Sequence, residues 1–207
     1  MNPDAAVYVV DDDESVRKSL ARLIRSVGLP VETFPSAQAF LDAPRADRPS
    51  CLILDLRLPG ASGLELQTAL GDAGRTLPII FISGVATVPA SVRAMKGGAL
   101  DFLQKPFDEA ELLDRIRQAL GRSHEARAEH ARRDAVQRRL GALTPRERQV
   151  LDLVVAGKLN QQIAAELGAA EKTIKIHRGR VMRKMQADSV ADLVRMMHTP
   201  GVSSSPA

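Results

Sequence analysis

Cys51-Leu52-Ile53-Leu54-Asp55-Leu56-Arg57-Leu58-Pro59-Gly60 is the stretch that decides how the first half of this 207-residue chain folds. Four apolar residues run straight into an acid, and a Pro-Gly turn follows. A short apolar run without alternation suits a strand buried on both faces, as in a parallel sheet. Asp55 then stands at the carboxyl end of that strand. In open α/β sheets, ligand chemistry sits in the crevice beyond those ends.

Working outward, similar runs recur at Val7–Val10, Val31–Phe34, Pro78–Ile82 and Ala99–Leu103. Helical spacing separates them. Val16, Leu20, Leu23, Ile24 and Val27 form one face before Gly28; Ser36 caps a helix holding Phe40 and Leu41; Ser62-Gly63 opens one with Leu64, Leu66 and Leu70. Pro89 begins another with Val92 and Met95 expected inward, and a last one starts near Asp108 with Leu112, Leu113, Ile116 and Leu120. Strands alternating with helices predict a doubly wound, five-stranded parallel sheet.

Just past the strand ends lie Asp11 and Asp12, Asp55, Ser83 and Lys105. In a parallel sheet they emerge at one edge. Crowded carboxylates repel one another unless a cation joins them, and oxygen ligands with room for water suit Mg²⁺. Asp55 can then act as a nucleophile toward phosphorus, with Lys105 and the Ser83 hydroxyl meeting the phosphoryl oxygens. Each residue alone reads as an ordinary turn former or surface charge; five of them at four strand ends, with Asp11 and Asp12 paired on one, read as a site. Asp13 and Glu14 read as acids at a helix N-terminus rather than as ligands.

Val9-Val10-Asp11-Asp12, Leu54-Asp55-Leu56-Arg57-Leu58-Pro59-Gly60, Ile82-Ser83-Gly84 and Lys105-Pro106-Phe107 resemble the receiver domain of bacterial two-component response regulators. The resemblance implies a flavodoxin-like fold and phosphorylation of Asp55 by a sensor histidine kinase. It implies Mg²⁺ held by Asp12, Asp55 and the main-chain carbonyl of Arg57, with Asp11 acting through water. It also implies Phe102 as the aromatic switch residue and a cis Lys105–Pro106 bond. Val85-Ala86-Thr87 depart from the His-Gly-Asp common in related receivers.

Charge divides the chain. Residues 1–123 hold 14 Lys/Arg against 16 Asp/Glu, and residues 124–207 hold 15 against 9, so a net of −2 is followed by one of +6. The basic half is compatible with nucleic acid, though charge supplies only the sequence-independent part of binding. The lone Cys51 makes no internal disulfide, and no apolar run reaches membrane-spanning length. Met-Asn-Pro-Asp-Ala-Ala lacks a basic region ahead of an apolar core, so a cytoplasmic protein is expected. The domain reading is 1–122, a charged helical linker over 123–141, a helical domain over 142–198, and a disordered tail over 199–207.

In the helical domain, Thr144 caps a helix with Pro145 in its first turn and Glu147 completing a capping box. A short helix from Asn160 to Leu167, a turn at Gly168-Ala169-Ala170, then a basic helix from Glu171 to Met185 make a helix-turn-helix pattern. Ser189 caps a fourth helix. A solvated basic helix in a small bundle is the plainer reading of the charge alone. The fuller string is more specific: Leu143-Thr144-Pro145-Arg146-Glu147, Ile163-Ala164, Leu167-Gly168, Thr173-Ile174-Lys175-Ile176-His177 and Lys184-Met185 resemble the LuxR-type DNA-binding domain. Residues expected at DNA are Asn160, Lys172, Thr173, Lys175, Ile176, Arg178, Arg180 and Lys184. Ala170 stands where that family carries a Ser or Thr cap, so a weakened helix start is expected.

The combined expectation is a FixJ-like, phosphorylation-controlled transcription regulator. Its expected partners are a sensor kinase, double-stranded DNA and a second copy of itself, with RNA polymerase a further candidate; no membrane partner and no enzymatic role are expected. Two rivals stand beside it: a constitutive DNA-binding regulator whose receiver only dimerises, and a Mg²⁺-dependent aspartyl-phosphate phosphohydrolase. The second ordinarily needs an acid two residues after the nucleophile, where this chain has Arg57.

Overall fold

The computed structural model describes residues 5–44, 46–73, 77–85 and 87–198. The chain forms two compact units, Met1–Arg127 and Ala128–Ala207.

In the first unit the order is β1 (Ala6–Val10), α1 (Glu14–Ser26), β2 (Val31–Phe34), α2 (Ala37–Asp42), β3 (Ser50–Asp55), α3 (Gly63–Asp72), β4 (Ile79–Ser83), α4 (Val88–Lys96) and β5 (Asp101–Gln104), followed by α5 (Glu109–Gly141), whose residues after Arg127 belong to the second unit. The strands form one sheet in the order β2-β1-β3-β4-β5, and every pairing is parallel. This is the flavodoxin-like order, with its switch point between β1 and β3. All six residues of β3 are buried. Alternate strand residues serve opposite layers: Tyr8, Leu52, Leu54 and Phe81 pack on one side, and Val7, Val9, Cys51, Ile53, Ile80 and Ile82 on the other.

Local chemistry sets the helix starts. The Asp13 carboxylate accepts from the Ser15 amide at 2.7 Å, and the Ser36 hydroxyl from the Ala39 amide at 3.1 Å. Ser62 and Glu65 close a capping box at α3. Such caps satisfy amides that a helix start otherwise leaves unpaired.

Helix α4 overturns one expectation. Val92 and Met95 are 44% and 45% exposed, and the inward face is Ala90 and Ala94. The small residues face the core cluster, and the buried Gln67 amide donates to the Ala94 carbonyl at 3.0 Å. That bond ties α3 to α4. β5 also begins two residues later than expected. The Ala99 amide closes the α4 terminus on the Ala94 carbonyl, while Leu100 bonds the Ile79 carbonyl.

The second unit contains α6 (Pro145–Val155), α7 (Asn160–Leu167), α8 (Glu171–Met185) and α9 (Val190–Met197). Its core joins Val150, Leu151, Val154, Ile163, Ile174, Val181, Met185 and Leu193 with Val136 and Leu140 from the end of α5. Thr144–Glu147 and Ser189–Asp192 form capping boxes at α6 and α9. Ala170 precedes α8 with no side-chain cap, as its chemistry requires. The tail over 199–207 and Ala86 lie outside the described residues.

Candidate functional site

The carboxyl edge of the sheet gathers Asp11 after β1, Asp55 at the end of β3, Ser83 at the end of β4 and Lys105 after β5. Asp11, Asp55 and Ser83 are 1%, 7% and 1% exposed. Two buried carboxylates share one ammonium: Lys105 Nζ donates to Asp11 Oδ2 at 2.7 Å and to Asp55 Oδ1 at 2.9 Å. The other oxygens take main-chain donors, Asp13 N–H to Asp11 Oδ1 at 2.9 Å and Arg57 N–H to Asp55 Oδ2 at 2.7 Å.

Burial pushes the Asp11 carboxyl above its usual range, against the pull of Lys105. For Lys105, burial works against the charge, but the hydrogen bonds it donates to Asp11 and Asp55 prevail and hold the ammonium above its ordinary value. One fixed cation therefore faces two enclosed acids, with exposed Asp12 next in the chain. Among the described residues, no three acidic, His or Cys side chains converge into a cage. A hard cation here would draw part of its shell from main-chain oxygen and water, which is how Mg²⁺ is ordinarily held. The excess negative charge and the all-oxygen donor set fit such an ion.

Ser83 is turned to its own loop. Its hydroxyl donates to the Val85 carbonyl at 3.1 Å and accepts from the Val85 amide at 3.2 Å. Phe102 is partly buried and stacked on Phe81, with ring centres 6.3 Å apart. Lys105–Pro106 is cis. Gly63, at the start of α3, also borders the site. Its N–H donates to the Leu56 carbonyl at 3.0 Å, and a Cβ placed on it comes within 2.4 Å of the Asp55 carbonyl oxygen. Nothing local marks this contact; it arises from the packing of α3 behind β3.

In the second unit, α8 turns Ile174, Val181 and Met185 inward. Lys172, Thr173, Lys175, Ile176 and Arg180 are exposed on it. Arg178 is half-buried and donates to Asn160 Oδ1 at 3.0 Å, so these two expected contacts are joined to each other. His177 is half-buried, its Nδ1 without a partner among the described residues. Lys184 differs from the exposed set. Its ammonium bonds the buried Glu147 at 2.6 Å and the Ala142 carbonyl at 3.0 Å, inside the unit. Other cations are similarly engaged: Arg139 bonds the Met185 carbonyl, Arg146 the Leu167 carbonyl and Arg148 the Leu140 carbonyl. Cations suit helix C-termini, where carbonyls lack partners. Much of the basic excess therefore has a structural use, and net charge alone overstates the surface available to nucleic acid.

Residues 7–117 match the family model of the response regulator receiver domain, and residues 141–197 match that of bacterial regulatory proteins of the luxR family. The chain belongs to the response regulator family. Among curated relatives of this response regulator, Nodulation protein W of Bradyrhizobium diazoefficiens is 50% identical over 97% of this chain and 88% of its own length. The transcriptional regulatory protein FixJ of Azorhizobium caulinodans is 45% identical over 95% and 93%. Among solved structures, the response regulator StyR has a TM-score of 0.87 at 46% identity, covering 94% of this chain and 98% of that one. The response regulator thus joins a receiver to a LuxR-type DNA-binding domain, and the relatives it matches are regulatory proteins. Among the described residues, no helix is long and apolar enough to cross a membrane.

Proposed function

We propose that Asp55 accepts a phosphoryl group from a phosphohistidine of a sensor kinase, and that this controls DNA binding through α8. The observation that carries the reading is Lys105 held between buried Asp11 and Asp55 at the switch point of the sheet. An Asp55 carboxylate oxygen attacks phosphorus, the P–N bond breaks, and its electron pair returns to the imidazole. Lys105 then exchanges its Asp55 contact for a phosphoryl oxygen, which keeps the new charge paired. Ser83 rotates from the Val85 carbonyl to donate to another phosphoryl oxygen. Asp11, Asp12, Asp55 and the Arg57 carbonyl are the residues that would hold Mg²⁺. When bound, the ion neutralises charge developing on the transferring group.

The transfer changes which groups Ser83 and Lys105 bond, and Thr87, four residues after Ser83, is the residue from which α4 starts. Exposed Val88, Val92 and Met95 on that helix are the candidate surface for a second copy. On this reading phosphorylation shifts a two-state equilibrium toward a dimer whose α8 helices enter the major groove. Lys172, Thr173, Lys175, Ile176 and Arg180 reach the duplex, and Arg178 is held for it by Asn160. RNA polymerase is the downstream partner that a transcription regulator implies.

The test is a DNA titration of wild type and Asp55→Asn, each with and without an acyl-phosphate donor and Mg²⁺. The duplex is selected from a random library by the wild-type chain. Affinity should rise only for phosphorylated wild type. Four coincident curves would remove the receiver from control of DNA binding.

A further inference from the structure

Gly179 lies inside α8, a 15-residue helix, flanked by Arg178 and Arg180. Glycine is one of the least favourable residues in a helix interior, because it loses the most backbone freedom. Positions that retain it usually need a positive φ or a close backbone approach. Gly179 shows neither use among the described residues. It is absent from the positive-φ residues, and a Cβ placed on it meets no heavy atom within 4 Å among the described residues. The fold therefore admits a side chain here and would gain helix stability from one.

Its direction is informative. On a helix turning about 100° per residue, Lys172, Ile176, Gly179 and Arg183 fall within about 60° of one another. They lie opposite buried Ile174, Val181 and Met185. Gly179 thus sits in the middle of the outward stripe, between Ile176, which is 50% exposed, and exposed Arg183. A helix with its side chains nearly fills the roughly 12 Å major groove, so a side chain at this point limits how deeply it seats.

We infer that Gly179 is a specificity-determining residue that lets the α8 backbone seat against duplex DNA and brings Ile176 to the base edges. This rests on the DNA-binding reading of α8. Ile176 then meets an apolar feature of the major groove, such as the thymine methyl.

The test compares full-length wild type with Gly179→Ala, Gly179→Leu and Lys175→Ala. The probes are the selected duplex and a scrambled duplex of equal length. Gly179→Ala should raise the thermal midpoint of the DNA-binding unit by about 3–6 °C, yet lose roughly tenfold in affinity for the selected duplex. Gly179→Leu should lose more, and both should keep wild-type affinity for the scrambled duplex. If Gly179→Ala binds the selected duplex as tightly as wild type, the inference fails. If Lys175→Ala also leaves binding intact, the DNA-binding reading of α8 fails with it. Loss in Lys175→Ala with none in Gly179→Ala overturns the Gly179 inference alone.

Discussion

Replacing Lys184 by Met should weaken the second unit without weakening its grip on DNA. Glu147 is 3% exposed, and its Oε2 receives both Lys184 Nζ at 2.6 Å and the Thr144 amide at 2.9 Å. The Lys184 hydrogen bond first, and then the Thr144 amide, draw the carboxyl down from 4.5 to about 2. At about 1.36 kcal/mol per pH unit, that displacement is worth up to roughly 3.4 kcal/mol for all partners together. Lys184 is one of several partners, and its side chain is 35% exposed, so solvent screens part of its share. Lys184→Met should therefore cost about 1–2 kcal/mol at pH 7.

The sign with pH follows from the depressed value. Stability from Glu147 is fully present above about 4.5, where the unfolded carboxyl is ionised, and is lost as pH falls toward about 2. The difference between wild type and Lys184→Met should shrink over that interval to the remainder that the Lys184 bond to the Ala142 carbonyl supplies. Urea unfolding of the 128–207 unit by circular dichroism at several pH values reads this directly. Glu147→Gln completes a double-mutant cycle. Equal stability at pH 7, or a difference that does not shrink as pH falls from about 4.5 toward about 2, would refute the ion pair as the cause. On DNA, Lys184→Met should keep the wild-type salt slope, whereas losing a phosphate contact lowers it by about 1.

Other substitutions test separate links. Ala170→Ser supplies the missing cap of α8 and should stabilise the second unit by about 0.5–2 kcal/mol; an unchanged urea midpoint would sink the capping argument. Gly63→Ala drives a Cβ to 2.4 Å from the Asp55 carbonyl, so the receiver should lose roughly 1–3 kcal/mol; its phosphorylation by an acyl phosphate, followed on phosphate-affinity gels, should slow as Asp55 is displaced. The Tyr8 hydroxyl is buried without a hydrogen-bond partner among the described residues. Tyr8→Phe keeps the ring against Phe34 and Phe40 and should be neutral or stabilising by up to about 1 kcal/mol; a loss above 1 kcal/mol in thermal unfolding would show that the hydroxyl is bonded.

The parts legible in the sequence are those fixed by local or strictly periodic chemistry. β3 was readable because burial on both faces removes any need for polar residues, and Asp55 interrupts that run where the strand meets the edge. Thr144–Glu147 was readable because a capping box is complete within four residues. Helix α4 is not, because residue size favours Val92 and Met95 for the inward face, whereas the core face is Ala90 and Ala94. Ala94 is fully buried and its carbonyl accepts from the Gln67 amide on α3, a contact between helices that no local pattern in α4 announces. The same limit governs charge. Lys172 and Lys184 both stand on α8 and both read as candidate DNA contacts, yet only Lys184 finds a buried acid, because α6 places Glu147 beside it. Sequence alone names cations. Which of them remain free for a phosphate depends on the carbonyls and carboxylates that folding brings within their reach. In this response regulator that distinction separates the stripe of α8 free to face DNA from the cations that hold its own helices together.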